Sequence, residues 1–344
     1  MSLYRNAVWF LKGWQEYTKG GYEVAAKHFC NTDLDVDCTS QVYMITGANS
    51  GIGKCVALEV ARRGGEVHMV CRNQQNAEKT KSEIVEESCN QNIYVHILDL
   101  SQPRNVYKFA KDFAASTDKL DVLVNNAGCM VNSREVDGDG LEKNFATNTL
   151  GTYVLTKTLL PLLKRSAKPR VIMVSSGGML VQKLNSKDLQ FESMSPFDGT
   201  LAYAQNKRQQ IIVMECLARE DPDVFFAAMH PGWADTPAVR SAMPDFYSRM
   251  KERLRSAEQG ADTAVWLAVS EAALKHASGL FFQGEDPPCS VAVVCLGVLS
   301  FPPTRYFVNA LLEKPLPFVF RNGLDVEEKL ISLSISISPI ILEF

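Results

Sequence analysis

The stretch QVYMITGANSGIGK, Gln41 to Lys54, leaves the chain few folds to choose from. A short apolar run is followed at once by Gly47, Gly51 and Gly53, and then by a pattern that predicts a helix from about Ile52 to Arg63. Strand, glycine turn and helix together open a βαβ unit. The rest of Gln41 to Gln283 keeps that rhythm, with EVHMVC, NIYVHIL, DVLVNNAG, RVIMVSS and DVFFAAM as further runs rich in Val, Ile and Phe. Strands alternating with helices predict an α/β fold, a parallel sheet with helices on both faces, in a single domain.

Glycine lets the chain turn sharply and lets backbone N–H groups approach an anion with no Cβ in the way. The helix behind the turn aims its positive end at the same place. Thr46, Gly47, Asn49, Ser50, Gly51, Ile52 and Gly53 therefore read as a cradle for the pyrophosphate of a dinucleotide. The spacing differs from G-x-G-x-x-G, so the match is one of mechanism. About twenty residues on, the second strand ends at Cys71-Arg72-Asn73. An arginine there accommodates the 2′-phosphate of NADP, so NADP(H) is expected over NAD(H). Asp99, with Leu100 beside it, either holds the adenine edge or caps the helix beginning near Gln102.

A second constellation lies far downstream. Tyr203 and Lys207, in LAYAQNKRQQ, stand one helical turn apart and share a face. A carbonyl reduced by hydride develops negative charge on oxygen and needs a proton there. Tyr203 is the candidate donor, and its phenolate the base in the reverse direction. A free phenol has a pKa of about 10. The ammonium of Lys207 is expected to favour the phenolate and lower that value.

TGANSGIG, NNAG (Asn125 to Gly128), the serine pair ending RVIMVSS, Tyr203-x-x-x-Lys207 and HPGWADTP follow one another in this order between Gln41 and Gln283. In this the chain resembles the short-chain dehydrogenase/reductase superfamily, and within it the retinol-dehydrogenase-like members. The resemblance implies a Rossmann-type doubly wound sheet with substrate above the carboxyl ends of its strands, and a lysine, Lys207, that also holds the nicotinamide ribose. It implies Ser176 rather than Ser175 as the donor to the substrate oxygen, and Asn148 in a proton relay through a water and the lysine. Asn148 also reads as a polar residue satisfying helix backbone. Asn125, Asn126, Ala127 and Gly128 are implied where the cofactor passes the strand end, and Pro231, Gly232 and Thr236 at its nicotinamide end. Thr236 and Asp235 also suit a helix cap. The segment between Ser176 and Tyr203 is longer than in smaller members and has the length of a functional loop or part of a lid. Met179, Leu180, Leu184, Phe191, Phe197, Trp233, Met243, Phe246 and Tyr247 suggest an apolar pocket for a hydrophobic carbonyl or alcohol.

Outside this core, residues 1–40 form an amphipathic extension in which Leu3, Ala7, Phe10, Leu11 and Trp14 recur at helical spacing. Either the helix packs on its own domain, or residues 1–20 touch a membrane surface through Trp9, Phe10 and Trp14. Residues 284–344 form an atypical tail to which no role is assigned. Net charge −3 and the absence of a dense basic tract argue against nucleic acid. Nine cysteines without a C-x-x-C pair fit reduced thiols in the cytoplasm, and the five histidines show no metal-ligand spacing. Oligomeric state is not legible. The expectation is an oxidoreductase; a cofactor-binding regulatory protein with little turnover and a membrane-peripheral protein are the alternatives.

Overall fold

The computed structural model describes residues 3–284, so the expected tail from 285 onward lies outside the described residues. Seven strands, β1 (Val42–Thr46), β2 (Glu66–Cys71), β3 (Ile93–Ile97), β4 (Val122–Asn125), β5 (Arg170–Val174), β6 (Phe225–Met229) and β7 (Leu280–Phe282), form one sheet in the order β3-β2-β1-β4-β5-β6-β7. Every neighbouring pair is parallel. The chain winds outward from β1 in one direction and from β4 in the other. Their carboxyl ends therefore flank the switch point where ligands of such sheets bind.

Two helices, α1 (Leu3–Glu16) and α2 (Lys19–Ala25), precede the sheet. Helices α3 (Gly51–Arg62), α4 (Gln74–Ser88) and α5 (Pro103–Ser116) follow β1, β2 and β3. A single turn, α6 (Lys143–Phe145), a π-helical stretch (Ala146–Gly151) and α7 (Thr152–Leu163) run without a break before β5. The long α8 (Gly199–Glu220) precedes β6, and α9 (Pro237–Ala242), α10 (Pro244–Met250) and α11 (Ala257–Val269) lie between β6 and β7.

Local chemistry sets the helix starts. Asn73 accepts from the Asn76 N–H, Asp198 from Thr200 and Leu201, and Ser256 with Gln259 completes a capping box on α11; each cap is worth about 1 kcal/mol. Pro103 opens α5 at a position where its missing N–H costs nothing. Asp99 does not cap α5, because Gln102 holds the cap position. The Asp99 carboxylate instead accepts from the Ser101 N–H at 2.9 Å, closing the turn ahead of the helix.

The strands alternate their faces as a two-sided sheet demands. Met44, Leu123, Val171, Met173 and Phe226 join one core with α5, α7 and α8, while Tyr43, Ile45, Val124, Ile172 and Ala227 join the other with α3 and α11. A fully buried side chain of this size contributes about 1.5–3 kcal/mol, so the two cores together fix the sheet beneath the site. Among the described residues no helix is long and apolar enough to cross a membrane. No cluster of three or more potential metal ligands occurs among them either.

The extension belongs to this body. Tyr17 is completely buried, and its carbonyl accepts from the Trp233 N–H at 2.8 Å. Arg255 reaches back to donate to the carbonyls of Glu16 (2.7 Å) and Thr18 (3.4 Å). Of the two readings of α1, packing on its own domain is what the contacts show for the Trp9–Gly13–Tyr17 face. Phe10, Leu11 and Trp14 remain 43%, 64% and 38% exposed.

Candidate active site

The glycine turn is built by close approach. Gly47 and Gly51 hold φ of +66° and +51°, a region that side chains rarely adopt. A Cβ on Gly53 would lie 2.4 Å from the Asn126 side-chain nitrogen and from the Gly47 carbonyl oxygen. Ser50 precedes α3 without capping it, and the first turn carries no acid. The first N–H groups of α3 therefore have no side-chain oxygen over them, which suits an incoming anion. The Ala48 and Asn49 N–H groups face inward to the Cys71 thiol, and the Asn49 carbonyl accepts from Thr80 at 3.0 Å. Thr46 also faces inward. Its hydroxyl accepts from the Asn126 and Ala127 N–H groups at 3.0 and 2.9 Å, which ties the ends of β1 and β4 together.

Beyond Asn126, whose amide donates to the Thr46 carbonyl at 2.9 Å, the chain passes Ala127 and Gly128. A Cβ at Gly128 would lie 3.2 Å from Asn148 Oδ1 and 3.4 Å from Lys207 Nζ, so the chain passes close between these two side chains. Asn148 sits in the π-helical stretch, a widened turn often found at functional sites. Its side chain clamps Cys129 by both backbone groups, accepting from the N–H and donating to the carbonyl at 2.8 Å each. The Asn148 carbonyl accepts from Gln210 Nε2 at 2.6 Å. Asn148 thus satisfies the backbone of the loop after β4 and stands beside Lys207 as well.

Tyr203 and Lys207 share a face of α8 as their spacing predicts. Lys207 is only 2% exposed, and its ammonium donates to the Val174 carbonyl at 2.9 Å. It lies over the Tyr203 ring, 5.4 Å from the centroid. Burial lowers its pKa from 10.5 to about 8. Burial also pushes the Tyr203 phenol above its ordinary value. The expected lowering by Lys207 is not what this arrangement gives, because desolvation dominates and the ammonium is held at Val174. Tyr203 is thereby a neutral phenol, a proton donor, through the neutral range.

The two serines part company. Ser175 is buried and donates to the Lys207 carbonyl at 3.1 Å, a bond that pins β5 to α8. Ser176 is partly exposed and accepts from the Gly178 N–H at 3.2 Å. A Cβ on Gly178 would sit 3.9 Å from Ala204 Cβ, which places this loop against the first turns of α8 beside Tyr203. After β6, His230 accepts the Gly232 N–H through Nδ1, and Gly232 takes φ of +72°. Pro231 offers its carbonyl to Arg255 at 3.2 Å. Thr236 caps α9, as its alternative reading had it, and also lies 3.2 Å from where a Gly51 Cβ would be. The loop after β6 therefore closes over the glycine turn. Arg72 is exposed at the end of β2 and makes no hydrogen bond or ion pair with another described residue. Asp99 and the buried Leu100 lie at the end of β3, where a Cβ on Gly151 would meet the Leu100 carbonyl.

The apolar residues divide. Met179 and Phe191 are buried in the core and support the sheet rather than line a cleft, while Leu180 and Phe197 are partly buried and packed on it. The segment 182–198 is anchored, with Gln190 accepting the Glu142 N–H and Gln205 accepting the Asn185 N–H. Trp233 packs edge-on to Phe246 and Trp9, and Phe10 leans on it at 5.6 Å.

The short chain dehydrogenase family matches residues 41–186. Human dehydrogenase/reductase SDR family member 12 is 59% identical over 287 residues, which is 83% of this chain and 90% of that protein. The chain belongs to the short-chain dehydrogenases. Mouse retinol dehydrogenase 12 is 35% identical over 74% of this chain and 80% of its own length. Among solved structures, a chain of Escherichia coli assigned to the short-chain dehydrogenases and complexed with NADPH superposes at a TM-score of 0.59. It has 24% identity and covers 73% of this chain and 99% of its own. A 3-ketoacyl-(acyl-carrier-protein) reductase from Brucella melitensis complexed with NADH gives 0.56, also at 24% identity, over 71% and 96%. The family makes this an oxidoreductase on a Rossmann-type sheet.

Around these residues stand Tyr17, Gln210 and Arg255, which were not singled out from sequence, together with Trp9, read there only as part of the amphipathic extension, and His230, read only as the head of HPGWADTP. Trp9 Nε1 donates to the Gly177 carbonyl at 2.9 Å, and Tyr17 meets His230 edge-on at 4.5 Å between ring centroids. Burial lowers the His230 pKa to about 3, so the imidazole is neutral. Only the run of polar residues from Gln205 to Gln210, all buried, had a signal. A helix turn polar on every side is an oddity that packing must satisfy.

Proposed function

We propose that this dehydrogenase transfers hydride between NADP(H) and an apolar carbonyl or alcohol, with Tyr203 as general acid in reduction and general base in oxidation. The observation that carries this is the buried Lys207 beneath Tyr203, at the meeting of Gly128 and Asn148. A buried ammonium with a depressed pKa costs stability, and functional sites are where such costs collect. When bound, the nicotinamide supplies or accepts the hydride. Thr46, Asn126, Gly47, Gly51 and Gly53 shape its cradle, with the open end of α3 toward the pyrophosphate. Ser176 donates a hydrogen bond to the substrate oxygen, Lys207 holds the ribose and Asn148 fixes the loop between them. A neutral Tyr203 favours the reducing direction at neutral pH. Reduction is therefore expected to hold level through neutrality and fall at alkaline pH, while oxidation rises with pH. Incubating the protein with hydrophobic aldehydes, ketones and alcohols plus NADPH or NADP⁺, read by the absorbance of reduced nicotinamide, tests the reading.

The cofactor preference rests on Arg72, which is exposed at the strand end. A charge-assisted contact contributes about 1.5–3 kcal/mol, so NADPH is expected to bind roughly ten- to hundredfold tighter than NADH. Arg72→Asp should erase or reverse the order in a titration of both cofactors. Equal affinities in the unaltered protein contradict the assignment.

A second reading concerns the outer face of α1, where Leu11 is 64% exposed beside Phe10 and Trp14. This face is suited to the headgroup layer of a membrane. Leu11→Glu is expected to abolish co-sedimentation with liposomes without altering the melting temperature, and unchanged sedimentation removes the reading.

A further inference from the structure

The peptide unit that joins Gly177 to Gly178 is held at both ends. On one side the Gly177 carbonyl accepts from Trp9 Nε1 at 2.9 Å; on the other the Gly178 N–H donates to Ser176 Oγ at 3.2 Å. Trp9 and Gly177 are 168 positions apart in sequence, so the extension grips the backbone beside Ser176 through a long-range contact. We propose that Trp9 is a positioning residue for the reaction, acting through this peptide on the Ser176 hydroxyl, and that the extension is therefore part of the catalytic apparatus.

The argument is one of hydrogen-bond direction. A serine hydroxyl has one proton and two acceptor sites. With the Gly178 N–H fixed against one acceptor site, the hydroxyl proton is directed away from the backbone and toward a substrate oxygen. That orientation depends on the peptide plane, because a trans peptide carries its C=O and N–H on opposite sides. The Trp9 N–H sets the plane from the carbonyl side. It also polarises the peptide and makes the Gly178 N–H a stronger donor. Glycine at 177 and 178 would otherwise leave the plane free to turn.

The surroundings are built to hold Trp9 there. Its indole packs edge-on to Trp233 at 6.1 Å and tilted to Tyr17 at 6.3 Å between centroids. A Cβ on Gly177 would come within 3.2 Å of the Tyr17 ring, so a side chain there would crowd Tyr17 beneath this carbonyl. Arg253 stacks over Trp14 at 4.3 Å and Arg255 binds the Glu16 carbonyl at the end of α1, which secures the helix against the segment before α11.

This inference rests on the reading of Ser176 as the donor to the substrate oxygen, and the test separates the two. In the full-length chain with NADP⁺ bound, Trp9→Phe keeps an aromatic ring against Tyr17 and Trp233 but deletes the N–H. Amide hydrogen exchange at Gly178 should then quicken roughly 3- to 10-fold, the equivalent of one neutral hydrogen bond. An unchanged Gly178 rate overturns the proposal whether or not a substrate is in hand. With a carbonyl substrate, Trp9→Phe should lower kcat roughly fivefold at unchanged cofactor affinity. The same change in a Ser176→Ala background should cost nothing further, because its route of action is gone. Equal losses in both backgrounds would mean that Trp9 acts only as scaffold and would overturn it. If Ser176→Ala alone leaves kcat intact, the serine reading fails by itself. Should Trp9→Phe lose its fold, the benzothiophene isostere at position 9, which puts sulfur in place of the N–H, carries the same comparisons.

Discussion

Tyr203→Phe is expected to lower kcat by roughly 10²–10⁴-fold, the usual contribution of a positioned general acid, while the fold and cofactor affinity survive. The ring is retained, so its packing over Lys207 is retained, and only the hydroxyl that carries the transferable proton is lost. Tyr203 is only half-buried, so loss of its hydroxyl has little effect on stability. Steady-state kinetics on a carbonyl substrate, with an NADPH titration on the same protein, reads both halves. Normal turnover with bound cofactor would remove Tyr203 from the chemistry.

Lys207→Met is expected to separate activity from stability. The folded protein holds this ammonium at 2% exposure with its pKa lowered from 10.5 to about 8. At neutral pH that difference corresponds to a penalty of about 3 kcal/mol against the charged form. Methionine fills similar volume without the charge but leaves the Val174 carbonyl without its donor, at a cost of about 1–3 kcal/mol. The melting temperature should therefore stay level or rise, while activity falls at least a hundredfold and cofactor affinity weakens. The sign with pH follows. Between pH 8 and 10.5 the unfolded chain binds more protons at this site than the folded one, so the native protein gains stability as pH rises through that window. Below it the penalty is fully present. Any advantage of the Lys207→Met protein should shrink across the same interval. A clear fall in melting temperature at neutral pH would contradict the account.

What could be read from the sequence and what could not differ by the range of the interactions involved. The glycine turn was legible because sharp turns and close approach leave a local mark, and the structure gives Gly47 and Gly51 positive φ. The shared face of Tyr203 and Lys207 was legible because helical spacing is local. The titration of that pair was not, since burial is a property of the fold. The phenol pKa is raised where charge alone suggested a lowering. Asp99 looked like a cap from composition, but the helix starts at Pro103, after Gln102. Met179 and Phe191 looked like pocket walls, but a long inserted segment must bury its own apolar residues to be held in place. The bonds made by Trp9 and Arg255 left no signal, although Trp9 itself was picked out as an aromatic of the extension. Each makes its bond to a backbone carbonyl far away in sequence, and no residue type marks such an acceptor.

The central claim is hydride transfer from NADPH to an apolar carbonyl with the proton supplied by Tyr203. The most direct measurement is turnover of the screen's aldehydes and ketones with NADPH deuterated at the transferable position, followed by mass analysis of the alcohols formed. The account predicts a product that carries one deuterium on the former carbonyl carbon with the unaltered protein and almost none with Tyr203→Phe. A protein that binds NADPH tightly yet moves no deuterium to any of these carbonyls would contradict it.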